Sequence, residues 1–186
     1  MNSRRRILIV DDDPDIHSLL NVAIGAPDRR IESAYDGLAG LRCVEDAVFD
    51  LVMTDIVMPG MDGLALLERI RDLRRETAVV VMTAVSTPER VVSAIREQAF
   101  AYISKPFTIE AIADLTARAL SSIPTDDDIE LLSARPNWLE LRLRCKKETA
   151  ERILLFMREL GMDLPAGEQE KITQLRLEKL LSKGDP

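Results

Sequence analysis

Histidine occurs once in these 186 residues and cysteine only twice, at Cys43 and Cys145, with no second soft ligand near either. A zinc knuckle needs clustered Cys and His, and a disulfide framework needs several paired cysteines, so neither is indicated. Both cysteines read as small core or half-buried residues in a reducing compartment. No apolar run approaches the roughly 18 residues of a membrane span. The start, Met-Asn-Ser-Arg-Arg-Arg, leads into only four apolar residues before Asp11, too few for the apolar region of a signal peptide. The expected location is the cytoplasm, with no membrane partner. Basic excess is also missing. Net charge is −7, and residues 125–186 carry 13 acids against 11 bases. A tail that binds DNA unaided shows the opposite balance, so DNA is not an expected partner.

What is present is alternation. Ile7 to Val10 is a short, wholly apolar, β-branched run, as in a strand covered on both faces. Asp11, Asp12 and Asp13 follow, then Pro14, a helix start. Ile16, Leu19, Leu20 and Ala23 recur at helical spacing until Gly25-Ala-Pro27. Arg30 to Ala34 is a weak second strand, and Asp36-Gly37 opens a helix to about Asp46. A third strand, Leu51 to Met53, runs into Asp55 and the turn at Pro59-Gly60, with a helix from Asp62 to Arg74 behind it. Val79 to Met82, a helix from Thr87 to about Gln98, and a strand from Phe100 to Ser104 come next. Thr108 caps a final helix with Ile109, Ile112, Leu115 and Leu120 as its apolar stripe. Five strands alternating with five helices predict a doubly wound α/β domain, a parallel sheet covered on both faces.

Residues 1–123 form that domain, 124–136 read as a charged linker containing Asp126-Asp127-Asp128, and 137–186 form a small appendage. In it Leu139, Leu141, Leu143 and Cys145 alternate with Glu140, Arg142 and Arg144, the pattern of a half-exposed strand. Helices are expected from Glu148 to Leu160 and after Pro165. One strand and two helices cannot bury a core alone, so the appendage must pack on something.

Every polar residue with chemical promise in the first domain falls at the carboxyl end of a predicted strand. Asp11 and Asp12 end the first, Asp55 the third, Thr83 the fourth and Lys105 the fifth. In a parallel sheet those ends share one rim, so the side chains can converge. Three carboxylates repel one another unless a cation sits among them, and an oxygen-only donor set suits Mg²⁺. Lys105 completes an electropositive pocket. A carboxylate beside a divalent ion, a lysine and a hydroxyl is equipped to accept a phosphoryl group, giving an aspartyl phosphate. Other polar features read as structural. His17 stands alone on the first predicted helix as a solvated or half-buried residue. Arg4-Arg5-Arg6 leads solvated into the first strand, and Trp138 packs against the tail helices.

The motifs Ile7-Leu-Ile-Val-Asp-Asp-Asp-Pro14, Met53-Thr-Asp-Ile-Val-Met-Pro-Gly-Met-Asp-Gly63, Val81-Met-Thr-Ala84 and Tyr102-Ile-Ser-Lys-Pro-Phe107 resemble the receiver domain of bacterial two-component response regulators, over about residues 5–122. The resemblance implies a five-stranded sheet of order 2-1-3-4-5. It implies that Asp55 accepts phosphate from a histidine kinase or phosphotransfer protein, and that Asp11, Asp12, Asp55 and the backbone carbonyl of Val57 hold Mg²⁺. It further implies that Lys105 binds the phosphoryl group, that Thr83 and Tyr102 form the switch acting on the helix 4–strand 5–helix 5 face, and that Lys105–Pro106 is cis. Such a protein is a phosphoacceptor rather than an enzyme. Gln98 stands where the family usually has glycine and Ala101 where it usually has an acid, so an altered turn into the fifth strand is expected. The strand-then-helix pattern from Trp138 to Leu160 is similar to the opening of the ATP-binding domain of anti-sigma-factor kinases, without its nucleotide-binding boxes. Three outputs stay open: dimerisation through the tail helices, a truncated kinase-like unit under receiver control, and a DNA-binding regulator.

Overall fold

Short apolar runs punctuated by acidic caps become a five-stranded parallel sheet in the computed structural model, which describes residues 4–121, 129–135, 138–143 and 155–156. In chain order the domain runs β1 (Arg5–Val10), α1 (Pro14–Ile24), β2 (Arg29–Ala34), α2 (Gly37–Asp46), β3 (Leu51–Asp55), α3 (Gly63–Leu73), β4 (Ala78–Thr83), α4 (Pro88–Arg96), β5 (Ala101–Ser104) and α5 (Ile109–Ser121). The strand order is β2-β1-β3-β4-β5, all parallel, as the resemblance implied.

Polar side chains start the helices where the sequence placed them. Asp13, Asp36 and Asp62 accept backbone N–H groups at the first turns of α1, α2 and α3, at 2.9, 2.7 and 2.8 Å. Thr87 and Thr108 do the same for α4 and α5. Each satisfies a donor that the helix cannot satisfy internally.

Strand periodicity divides the core. Leu8, Val10, Val52, Val79 and Val81 face α2, α3 and α4, while Ile7, Ile9, Leu51, Met53, Val80 and Met82 face α1 and α5. Of the three inner strands, β3 and β4 are buried along their whole length. β2 and β5 are the edges, which accounts for the polar, half-exposed character of β2.

Two helix stripes differ from the sequence pattern. On α1 the buried residues are His17, Leu20 and Ile24, so the stripe is rotated by one position and Leu19 is only half-buried. On α5 they are Ile112, Leu115, Thr116 and Ala119, and Ile109 is exposed at the helix start. Apolar spacing alone does not report where a helix meets the sheet.

Gln98, in the turn before β5, adopts φ 58°, the left-handed conformation that glycine takes without strain. Ala101 is fully buried in β5. The Lys105–Pro106 bond is cis.

Residues 129–135, read from the sequence as linker, form a strand instead. β6 (Ile129–Arg135) pairs antiparallel with β7 (Trp138–Leu143), joining Ile129 to Leu143, Leu131 to Leu141 and Arg135 to Trp138. A register shift between Leu131 and Ser133 breaks the period-two pattern, so the strand is not visible as clean alternation. The acidic run before it belongs with the expected linker but lies outside the described residues. So do most of the helix expected over Glu148–Leu160, in which Leu155 and Phe156 are helical, and all of the helix expected after Pro165. The dimerising and kinase-like readings of the tail depend largely on those residues.

Candidate functional site at the carboxyl rim

The strand order reverses between β1 and β3. The helices after these two strands leave on opposite faces, and a crevice opens at their carboxyl ends. Asp11 follows β1 and Asp55 closes β3, so both carboxylates enter that crevice. Asp11 is fully buried and Asp55 is 4% exposed.

Lys105 joins them. Its Nζ lies 2.7 Å from Asp11 Oδ2 and 2.8 Å from Asp55 Oδ1, with only 15% of the side chain exposed. Its backbone N–H donates to the Thr83 carbonyl at 2.7 Å, which fixes the start of the β5–α5 loop against the end of β4. The other carboxylate oxygens are also engaged. Asp13 N–H donates to Asp11 Oδ1 at 3.0 Å and Val57 N–H to Asp55 Oδ2 at 2.7 Å.

One ammonium shared between two buried carboxylates cannot compensate both. Burial pushes the Asp55 carboxyl above its ordinary range, and the Asp11 charge adds to this. The Lys105 ammonium and the Val57 N–H work against the shift without cancelling it. For Lys105, burial disfavours the charge, but its hydrogen bonds to Asp11 and Asp55 outweigh that and raise its pKa.

Of the residues singled out from the sequence, Asp11, Asp55 and Lys105 meet in one cluster. Asp12 is exposed, and among the described residues no three carboxylate, histidine or cysteine side chains are grouped to hold a metal. Thr83 is fully buried, but its hydroxyl is occupied by the β4–α4 loop. It accepts from Val85 N–H at 3.2 Å and lies 3.4 Å from the Val85 carbonyl. Tyr102 is 2% exposed, within the apolar cluster on the α4 side of the sheet.

His17 was set aside as a solvated or half-buried residue, and the structure overturns that. It is 4% exposed, with Nε2 2.8 Å from the Asp11 carbonyl, Nδ1 3.0 Å from Ser33 Oγ, and the Tyr35 ring 4.4 Å away. A carbonyl only accepts, so Nε2 carries a proton and the imidazole ties α1 to the ends of β1 and β2. The signal was available: His17 stands three and seven residues before Leu20 and Ile24, one helix face. His17→Ala leaves the buried Asp11 carbonyl unpartnered. It is expected to lower stability by about 2 kcal/mol, read from urea unfolding.

Glycine fills the last gap. Gly63 opens α3 directly against the end of β3, where an added Cβ would stand 1.9 Å from the Asp55 carbonyl oxygen. Its N–H donates to the Ile56 carbonyl at 3.0 Å.

The fold and this rim define a class: a flavodoxin-like, five-stranded domain with a lysine-bridged carboxylate pair at its switch point. Comparison with known sequences makes this specific. Residues 7–117 match the response regulator receiver domain, and the chain belongs to that family. It is 36% identical over 120 residues to the regulatory protein AtoC of Escherichia coli, covering 64% of this chain and 26% of AtoC. It is 34% identical over 120 residues to the DNA-binding transcriptional regulator NtrC of Azospirillum brasilense, covering 64% of this chain and 25% of NtrC. The chain thus spans about a quarter of the length of these curated relatives. Among solved structures, a CheY-like receiver domain protein from Methanospirillum hungatei superposes with a TM-score of 0.61 at 31% identity, covering 63% of this chain and 94% of that one. The beryllofluoride-activated receiver domain of DrrB superposes with a TM-score of 0.60 at 26% identity, covering 64% and 99%. The chain therefore carries a two-component response regulator receiver.

Proposed function

We propose that Asp55 is the phosphoacceptor of this receiver and that a histidine kinase or a phosphotransfer protein is its donor. The observation that carries the reading is the ammonium of Lys105 placed between the two buried carboxylates at 2.7 and 2.8 Å. A carboxylate that burial keeps poorly compensated is reactive, and the cation beside it can follow charge onto an incoming phosphoryl oxygen.

In the step proposed, an Asp55 oxygen attacks phosphorus in line. The phosphorus–nitrogen bond of a phosphohistidine breaks, and the departing imidazole keeps the electron pair and takes up a proton. Lys105 keeps its bond to Asp11 and presents its remaining charge to the phosphoryl oxygens. Val57 N–H, already directed at Asp55 Oδ2, holds the carboxylate plane.

The donor set suits Mg²⁺. Two buried carboxylates address a single cation position, since one ammonium reaches both, and hard oxygen donors on a rim favour Mg²⁺ with several waters. Asp11 and Asp55 would hold it, with Asp12 and the Val57 carbonyl as further ligands. When bound, the ion supplies charge neutralisation and orientation for the transferring group.

Thr83 and Tyr102 form the proposed switch. A phosphoryl oxygen at Asp55 competes with Val85 for the Thr83 hydroxyl, and moving that hydroxyl alters the loop that begins α4. Phosphotransfer to Asp55 is stoichiometric signalling chemistry, so the receiver is not proposed as an enzyme. DNA binding, printed in the name of NtrC, is not part of this proposal: the match covers 120 residues, and residues 125–186 are slightly acidic. Among the described residues no helix is long and apolar enough to cross a membrane, and a cytoplasmic location is proposed.

Incubation with acetyl phosphate and Mg²⁺ tests the reading. One phosphoryl group per chain, mapped by mass spectrometry of borohydride-trapped peptides to Asp55, is expected. Label on another residue, or none at saturation, would remove Asp55 from the role.

A further inference from the structure

Phe156 lies well past Ala117, the last of the matched receiver residues 7–117, yet is only 2% exposed and belongs to the receiver's own core. It joins the cluster on the α2–α3–α4 side of the sheet, with Val91, Ala94, Ile95 and Tyr102. Its neighbour Leu155 packs on the opposite cluster, with Ala101, Ile112 and Leu115. Two adjacent residues can reach both faces of a sheet only by lying across one of its edges. The available edges are β2 and β5. β6 packs against α4, beside β5, and this selects the β5 edge.

We infer that the β6–β7 hairpin and the Leu155–Phe156 turn form an intramolecular strap over the α4–β5 edge, and that seating of this strap and phosphoryl occupancy at Asp55 oppose each other. The inference rests on the proposed role of Asp55 and adds the element that Asp55 controls.

The opposition follows from what the strap touches. Thr83 is bonded to the backbone of Val85, and Arg90 of α4 donates to the Val85 carbonyl at 2.9 Å, so α4 and the Thr83 hydroxyl share one loop. Drawing that hydroxyl toward a phosphoryl group releases both Val85 contacts and loosens the start of α4. β6 rests on that helix, and Phe156 shares the cluster that α4 and Tyr102 build. Packed interfaces of this kind hold two discrete arrangements rather than deforming continuously. Coupling between two sites is reciprocal: if phosphoryl occupancy unseats the strap, unseating the strap must tighten occupancy by the same factor.

The test uses the full chain with beryllofluoride and Mg²⁺ as the phosphoryl mimic, with binding followed by fluorine NMR. Hydrogen exchange is compared with and without the mimic. Amides of Ile129–Arg135 and Trp138–Leu143 are expected to exchange several-fold faster once it is bound. Phe156→Ser, and Leu155→Ser in parallel, are expected to bind the mimic about fivefold tighter or more, the lower end of usual coupling. Binding without any change in exchange at β6 and β7, or equal affinity in both variants, would overturn the strap while leaving the Asp55 reading intact. No binding to the parent chain would overturn both. The exchange arm uses the unaltered protein, so it decides the matter even if a variant misfolds.

Discussion

Asp55→Asn is expected to take up no phosphoryl group from acetyl phosphate and Mg²⁺, and to melt at a higher temperature than the parent chain at neutral pH in EDTA. The first effect is loss of labelling to background, because an amide is not a nucleophile for phosphorus under these conditions. The second follows from burial. The Asp55 carboxyl has a higher pKa in the fold than in the unfolded chain, where an aspartate sits at about 3.9. The native state therefore binds its proton more tightly, and stability falls as pH rises from that value through the raised native one. Above that window the penalty is present in the parent and absent in the variant. The amide offers one acceptor oxygen where the carboxylate offers two, and Lys105 and Val57 each claim one. Val57 is 51% exposed, so water can replace that bond, and Lys105 keeps Asp11. Melts between pH 4 and 8 should show the advantage of the variant shrinking toward the acid end. A variant that melts lower than the parent at pH 7, or whose advantage grows on acidification, would contradict the account of Asp55 as an under-compensated buried charge.

Gly63→Ala is expected to cost about 3 kcal/mol or more, at the upper end of overpacking penalties, and to depress phosphorylation of the folded fraction. The added methyl would meet backbone: the Asp55 carbonyl oxygen at 1.9 Å and its carbon at 2.8 Å, with Thr54 Oγ1 at 3.0 Å. Backbone in the middle of a sheet cannot swing aside as a side chain can. Either α3 retreats, which breaks the Gly63 N–H bond to Ile56, or the end of β3 shifts and takes Asp55 out of reach of Lys105. Urea unfolding measures the first cost, and acetyl phosphate labelling rates under native conditions measure the second. Gly60, at φ 80° with nothing within 4 Å, is the control for crowding: Gly60→Ala meets only backbone strain and should leave the geometry at Asp55 unchanged. If Gly63→Ala proved as stable as the parent, the close packing of α3 on Asp55 would be wrong.

Much of this protein was legible without coordinates. The alternation of short apolar runs with capped helices predicts a doubly wound sheet, because strands buried on both faces must be wholly apolar and crossover helices need polar starts. The placement of Asp11, Asp55, Thr83 and Lys105 at strand ends follows from the same pattern, since parallel strands share one rim. Single-residue register was not legible. His17 and the rotated stripe of α1 show why: hydrophobic spacing defines a face but not the angle at which it meets the sheet. Asp12 shows it again, being one residue from Asp11 and yet exposed.

Tertiary structure alone decided three things. It showed that the lysine, rather than a third carboxylate, joins the buried pair, because that depends on how the β5–α5 loop seats on β4. It placed Gly63 against Asp55, a contact between backbones that carries no side-chain signature. And it brought Leu155 and Phe156 back across the β5 edge, where the nearest matched receiver residue lies dozens of positions earlier in the chain. Local patterns follow from spacing along the chain, which a sequence displays. These contacts follow from long-range closure, which appears only once the sheet has a definite edge to cover.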